Sequence, residues 1–379
     1  MDRRTFLKMA SLVLAGSGVG PTACQLSAAE ESEESYDKES LSMEKPLIGV
    51  SAYPGAANIG LMKAAGIGWI RHVIPYPFVE GAGGVLSDNY LAAKSQAEAW
   101  HDDGMEILGV TPMLSLIWPQ CGEPGSRTSL DRYGAACAWL ASDLRGVVAA
   151  WQVANEVDWP PFNGPLNLRQ ACEMVLSGAR GLKRADPSLV VGTNSAGMAR
   201  SYYLLGYLHG RPYGEEDESG PFDYAGDDGY YGTYQPGGPE RWDERIAEVH
   251  ALTDLPVMIN EWGFHSEGEP MTAAELALGT HRACELHKLP YSWGGGHTPE
   301  VQAEYITAAF GAFSQHRDKL AGLVFYCWQD EERCHYCGSP GCPVTSRQGL
   351  LDVEGRPKPG YYAFRDAVRA FLSDAPTGA

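Results

Sequence analysis

A chain of 379 residues with 48 acidic and 29 basic side chains carries a formal charge of −19, which argues against nucleic acid or an anionic membrane surface as partner. Apolar and charged fractions of 44% and 20% are those of an ordinary soluble globular protein. The length admits two average domains, although α/β barrels of this size are often single units.

The chain opens on Arg3-Arg4, then an apolar segment from Met9 to Val19 that is too short for a stable membrane span. Residues 1–27 are read as an export signal of the twin-arginine type. Thr22-Ala23-Cys24 ends it as a degenerate lipobox, with Pro21 where such boxes prefer Leu, so a lipid anchor through Cys24 is an open expectation. From Ala28 to Ser42 the chain is mostly Glu, Ser and Asp, and residues 28–45 are expected to be a disordered acidic linker because they cannot bury a core. The remainder, 46–379, reads as one domain.

Strand and helix signals then alternate. Strands are expected at Leu47–Ser51, Gly68–Ile74 and Met105–Pro112, with helices at Asn58–Ala65, Asp88–Asp103 and Ser129–Leu144. A fourth strand begins at Val147 and runs into Trp151-Gln152-Val153-Ala154-Asn155-Glu156. A helix over Leu168–Ala185 leads to a fifth strand at Leu189–Gly192. A short helix at Tyr202–Leu208 precedes a sixth strand around Phe222–Ala225, and 239–252 is helical. The seventh strand ends in Ile259-Asn260-Glu261-Trp262-Gly263. An insertion over 263–297 carries a helix near Ala273–Leu286. A helix starts at Thr298-Pro299, the eighth strand is Leu320–Trp328, and Tyr361–Leu372 closes the chain.

Eight strands alternating with helices predict a (β/α)₈ TIM barrel. A doubly wound open sheet is the competing architecture. No Gly-x-Gly-x-x-Gly follows the first strand, so nucleotide binding has no support.

Glu156 ends the fourth strand and Glu261 the seventh, at the barrel face where active sites sit. With these motifs, order and spacing, the chain from about Leu47 to Leu372 resembles the clan A retaining glycoside hydrolases, barrels with Asn-Glu ending strand four and Glu ending strand seven. The resemblance implies Glu156 as general acid/base, Glu261 as nucleophile and Asn155 as the group that holds the sugar 2-hydroxyl. It also implies a Tyr after strand six on the nucleophile; Tyr230 and Tyr231 both qualify. Trp328 matches the aromatic platform for the sugar. Arg71, ending strand two, is placed to ion-pair with the nucleophile. His72 is expected to point outward as a structural residue. Trp118, Trp159 and Trp262 are candidate outer-subsite aromatics. Two carboxyls suit glycoside cleavage because one must donate a proton while the other attacks, about 5 Å apart when configuration is retained.

Cys334-His335-Tyr336-Cys337 with Cys342 admits three states: a disulfide, a metal site or free thiols. Export favours the disulfide, and no metal or cofactor is expected. Cys121, Cys137, Cys172, Cys284 and Cys327 read as small buried hydrophobes. The expected activity is therefore an exported, monomeric glycosidase on β-linked oligo- or polysaccharides. A catalytically dead glycan-binding barrel and a metal-dependent hydrolase on the same fold are the alternatives. The latter needs His and Asp at several strand ends, where Glu, Asn, Arg and aromatics stand instead.

Overall fold

A computed structural model describes residues 46–53, 58–79, 84–118, 120–209 and 220–373. The expected export signal, Cys24 and the acidic linker through residue 45 lie outside the described residues.

Short apolar runs make the eight barrel strands: β1 (Leu47–Ser51), β2 (Trp69–Val73), β3 (Glu106–Val110), β4 (Val148–Gln152), β5 (Val190–Thr193), β6 (Tyr224–Gly229), β7 (Val257–Trp262) and β8 (Leu320–Phe325). They pair in parallel and in sequence order, and β8 closes on β1. The (β/α)₈ barrel is thus confirmed and the open sheet excluded. Among the described residues no helix is long and apolar enough to cross a membrane.

Strand alternation splits the side chains into two sets. Leu47, Leu108, Ala150, Tyr224, Met258 and Val324 point inward and plug the barrel floor. Outward residues meet the helices, as where Trp262 packs on Phe310, Phe313, Phe325 and Phe364. Two glycines exist for close approach. A Cβ on Gly181 would lie 2.1 Å from the Gly134 carbonyl, so the helices Arg127–Asp143 and Leu168–Ala185 touch backbone to backbone. A Cβ on Gly226 would lie 2.2 Å from Asn260 Oδ1, inside the barrel.

Three boundaries differ from expectation for physical reasons. The sixth strand was expected around Phe222–Ala225 but runs to Gly229, because two Asp that read as loop residues have partners. Asp227 faces outward into a bidentate pair with Arg245 (2.6 and 2.7 Å), and Asp228 faces inward to Asn194 (2.5 Å). The single helix expected over Ala273–Leu286 breaks into Ala273–Ala277, Thr280–Arg282 and Ala283–Leu286. Gly279, at φ 107°, interrupts it. Finally, β8 ends at Phe325, short of Trp328.

Candidate active site

The mouth of the barrel is built on Arg71, which alternation aims inward from β2. Its Nε donates to Gln152 Oε1 (2.8 Å), one terminal nitrogen donates to Asn155 Oδ1 (2.6 Å), and the other pairs with Glu261 Oε1 (2.7 Å). Gln152 Oε1 also accepts from Asn260 Nδ2 at 2.9 Å. One buried guanidinium therefore ties the ends of β2, β4 and β7 together. Burial works against its charge, but Glu261 and Asp228 more than offset this and raise its pKa.

Beyond β4 the chain leaves the sheet through two residues in the left-handed region, Ala154 at φ 58° and Glu156 at φ 43°. Such backbone persists only where neighbours over-determine it. Ala154 N–H donates to Thr111 Oγ1 (2.8 Å), Gln152 Nε2 donates to the Ala154 carbonyl (2.7 Å), and Glu156 N–H donates to Asn194 Oδ1 (2.9 Å). Asp158 pins the next stretch, accepting from Ala196 N–H (3.1 Å) and Ser201 Oγ (2.5 Å). Asn155 Oδ1 takes donors from Arg71, Gln152 and Asn194. Three donors on one oxygen fix the orientation of the amide.

The two Glu are alike in burial, each 9% exposed, and unlike in surroundings. Glu261 has Arg71 on one oxygen and the Tyr230 hydroxyl on the other (2.6 Å). Glu156 faces Asp228 instead of bonding a cation. Burial first, then the charges of Glu261 and Asp158, push the Glu156 carboxyl well above the ordinary range, with Arg71 pulling the other way. Asp228 is raised for the same reasons: burial, then Glu261 and Glu156. Its Oδ1 has no hydrogen-bond partner among the described residues. Neighbouring carboxyls of this kind cannot both ionise and titrate as a unit.

The structure thus gathers Glu156, Glu261, Arg71, Asn155 and Tyr230 at one mouth. Tyr231 turns away to pack edge-on against Trp242 at 5.1 Å. Trp328, expected as the sugar platform, is instead fully buried against Tyr361 and offers no exposed face for a sugar to stack on. Tyr326, half-buried, lies edge-on to Tyr230 at 6.1 Å with its hydroxyl hydrogen-bonded to that of Tyr53. His72 is outward as expected, bonded to the Ala93 carbonyl and edge-on to Trp100. Trp262 is a buried helix-facing residue, not a subsite. Trp159 is half-buried and meets Tyr336, whose hydroxyl pKa is raised by burial first and then by the charges of Glu156 and Glu261. The sequence reading missed Asn194, Asp228, Tyr326 and Tyr336. Inward alternation along β6 (224, 226, 228, 230) and β8 (322, 324, 326) would have found Asp228 and Tyr326; the other two come from loops.

No family model and no curated protein matches this chain. Solved structures do. The AHE enzyme from Alicyclobacillus herbarius is 13% identical, with 87% of this chain and 98% of that one covered at a TM-score of 0.60. The likeness is one of fold. A psychrophilic glycoside hydrolase family 10 endo-β-1,4-xylanase is 17% identical over 85% of this chain and 97% of its own, at a TM-score of 0.60. A GH5_18 protein from Streptomyces cattleya, solved with GlcNAc, is 16% identical over 88% and 82%, again at 0.60.

Proposed function

We propose that this chain is an exported glycoside hydrolase that cleaves β-linked glycans with retention of configuration. The observation that carries the reading is the unequal pair at the mouth: Glu261 is ion-paired and hydrogen-bonded by Arg71 and Tyr230, while burial and neighbouring acids raise the pKa of Glu156, which bonds no cation. Two carboxyls whose surroundings divide the labour between attack and proton donation are what glycoside cleavage needs. Solved barrels of similar fold named as glycoside hydrolases support the same class.

In the first step Glu261 attacks the anomeric carbon as the bond to the leaving oxygen breaks, and Glu156 gives that oxygen its proton. In the second, Glu156 takes a proton from water, the water oxygen attacks the anomeric carbon, and Glu261 leaves. Asn155 Nδ2 is the donor available to the sugar 2-hydroxyl. Tyr326 offers the aromatic face at the cleavage point.

The two Glu must fail differently when truncated. Glu261→Ala should stall even substrates with excellent leaving groups. Glu156→Ala should still be glycosylated by an activated aryl glycoside and accumulate the intermediate, with losses on unactivated substrates on the order of 10²-fold or more. Azide should rescue Glu156→Ala to a glycosyl azide of the substrate's configuration and Glu261→Ala to the opposite anomer. Equal, mild losses in both variants would sink the assignment and favour a glycan-binding barrel. Export is tested by changing Arg3 and Arg4 to Lys, which should hold the protein in the cytoplasm; normal export of that variant removes the twin-arginine reading. Fractionation of Cys24→Ser reads the lipid anchor, whose loss should release the protein.

A further inference from the structure

Cys284, expected to be a buried hydrophobe, does not behave as one. It stands with Cys334, Cys337 and Cys342, and the four Sγ atoms all lie within 4.8 Å of one another. Cys284 Sγ is 3.7 Å from Cys334 Sγ and 3.9 Å from Cys342 Sγ. A disulfide sulfur has one partner at about 2.05 Å, whereas Cys284 is nearly equidistant from two. Zinc–thiolate bonds of about 2.3 Å in a tetrahedron place the sulfurs about 3.8 Å apart. The separations at Cys284 match that edge.

A tight turn and a hydroxyl donor frame the cluster. Cys334-His335-Tyr336-Cys337-Gly338 is a tight turn in which Gly338, at φ 71°, returns its N–H to the Cys334 carbonyl at 2.8 Å. Thr345 Oγ1 donates to Cys334 Sγ at 3.3 Å. Donors aimed at sulfur are the outer contacts that steady metal thiolates. His335 is not a ligand; its Nε2 pairs with Glu331 at 2.7 Å.

We propose that Cys284, Cys334, Cys337 and Cys342 form a structural four-thiolate site for a tetrahedral divalent metal, zinc, that clips the insertion after β7 to the loop after β8. Soft thiolates select zinc, and four protein ligands leave no open position for chemistry. The clip serves the cleft. Tyr234 packs on the cluster and stands edge-on to Tyr230 at 5.4 Å, and the same turn carries Tyr336 toward Trp159. The metal therefore braces one wall of the mouth from behind. Its readout does not depend on the glycosidase reading.

The test uses the full chain, purified without chelator. Elemental analysis should find equimolar zinc, released when the thiols are alkylated. Exchange for cobalt(II) should give the thiolate charge-transfer and visible d–d absorption of a tetrahedral four-sulfur site. Cys284→Ser should lose stoichiometric zinc. Should that variant misfold, the cobalt spectrum of the unaltered chain still decides. A mass lower by four hydrogens with no metal would establish two disulfides and overturn the proposal. So would reduced thiols that take up no cobalt.

Discussion

Tyr230 and Tyr231 are neighbours in sequence and opposites in role. Tyr230 donates to Glu261 at 2.6 Å, while Tyr231 packs behind the barrel against Trp242. A hydrogen bond to a charged group contributes about 1.5–3 kcal/mol, so Tyr230→Phe should lower kcat/KM by about 10- to 100-fold. Tyr231→Phe should leave it within about two-fold, since it removes no contact with the reacting groups. Steady-state kinetics on one aryl β-glycoside compares them. Equal losses would mean that the Tyr230 hydroxyl does not act through Glu261.

The end of β8 shows what a strand dictates and where its authority stops. Gly322, Val324 and Tyr326 follow the inward alternation, and Tyr326 reaches the mouth by that rule. Tyr326 is the first residue past β8, whereas Trp328, three residues past it, has left the alternation and is buried against Tyr361. Tyr326→Ala should therefore raise KM with little loss of thermal stability. Trp328→Ala should cost about 3–5 kcal/mol of stability as a large core deletion. Calorimetry alongside kinetics separates the two, and a Trp328 variant with a normal melting point and a raised KM would reverse the placement. The same distinction explains what was legible in the sequence. Glu156, Glu261, Arg71 and Asn155 were legible because the sequence puts them near or just past the C-terminal ends of β4, β7 and β2, on the rim where the structure gathers them. Asp227 and Asp228 hid the end of β6 because their partners, Arg245 and Asn194, come from elsewhere in the chain. Cys284 joins three thiols from which it is separated by 50 or more positions, a closure no local pattern encodes.

For the molecule as a whole, the buried acids tie stability to pH. Glu156 and Asp228 bind their protons more tightly when folded than when unfolded. Their stabilisation is complete below the unfolded values of about 4.3 and 3.9 and is lost as pH rises through the raised native ones. Glu156→Gln cannot ionise and escapes its share of that loss. The melting temperature of the variant relative to the unaltered protein should therefore increase as pH is taken upward from about 4. A gap that stays flat, or closes, would show that the fold does not raise the Glu156 pKa.

The left-handed turn at Ala154 and Glu156 has a meaning for lineages as well as for chemistry. Glu at φ 43° sits where a side chain costs of order 1–3 kcal/mol and glycine far less. A population of variants sorted by heat resistance alone would be drawn toward glycine at position 156 and, with Glu156 as the proposed proton donor, would lose turnover as it became sturdier. Only a selection that also demands turnover keeps the carboxyl in place. The sharpest bend at the mouth is thus where durability and usefulness pull this sequence in opposite directions.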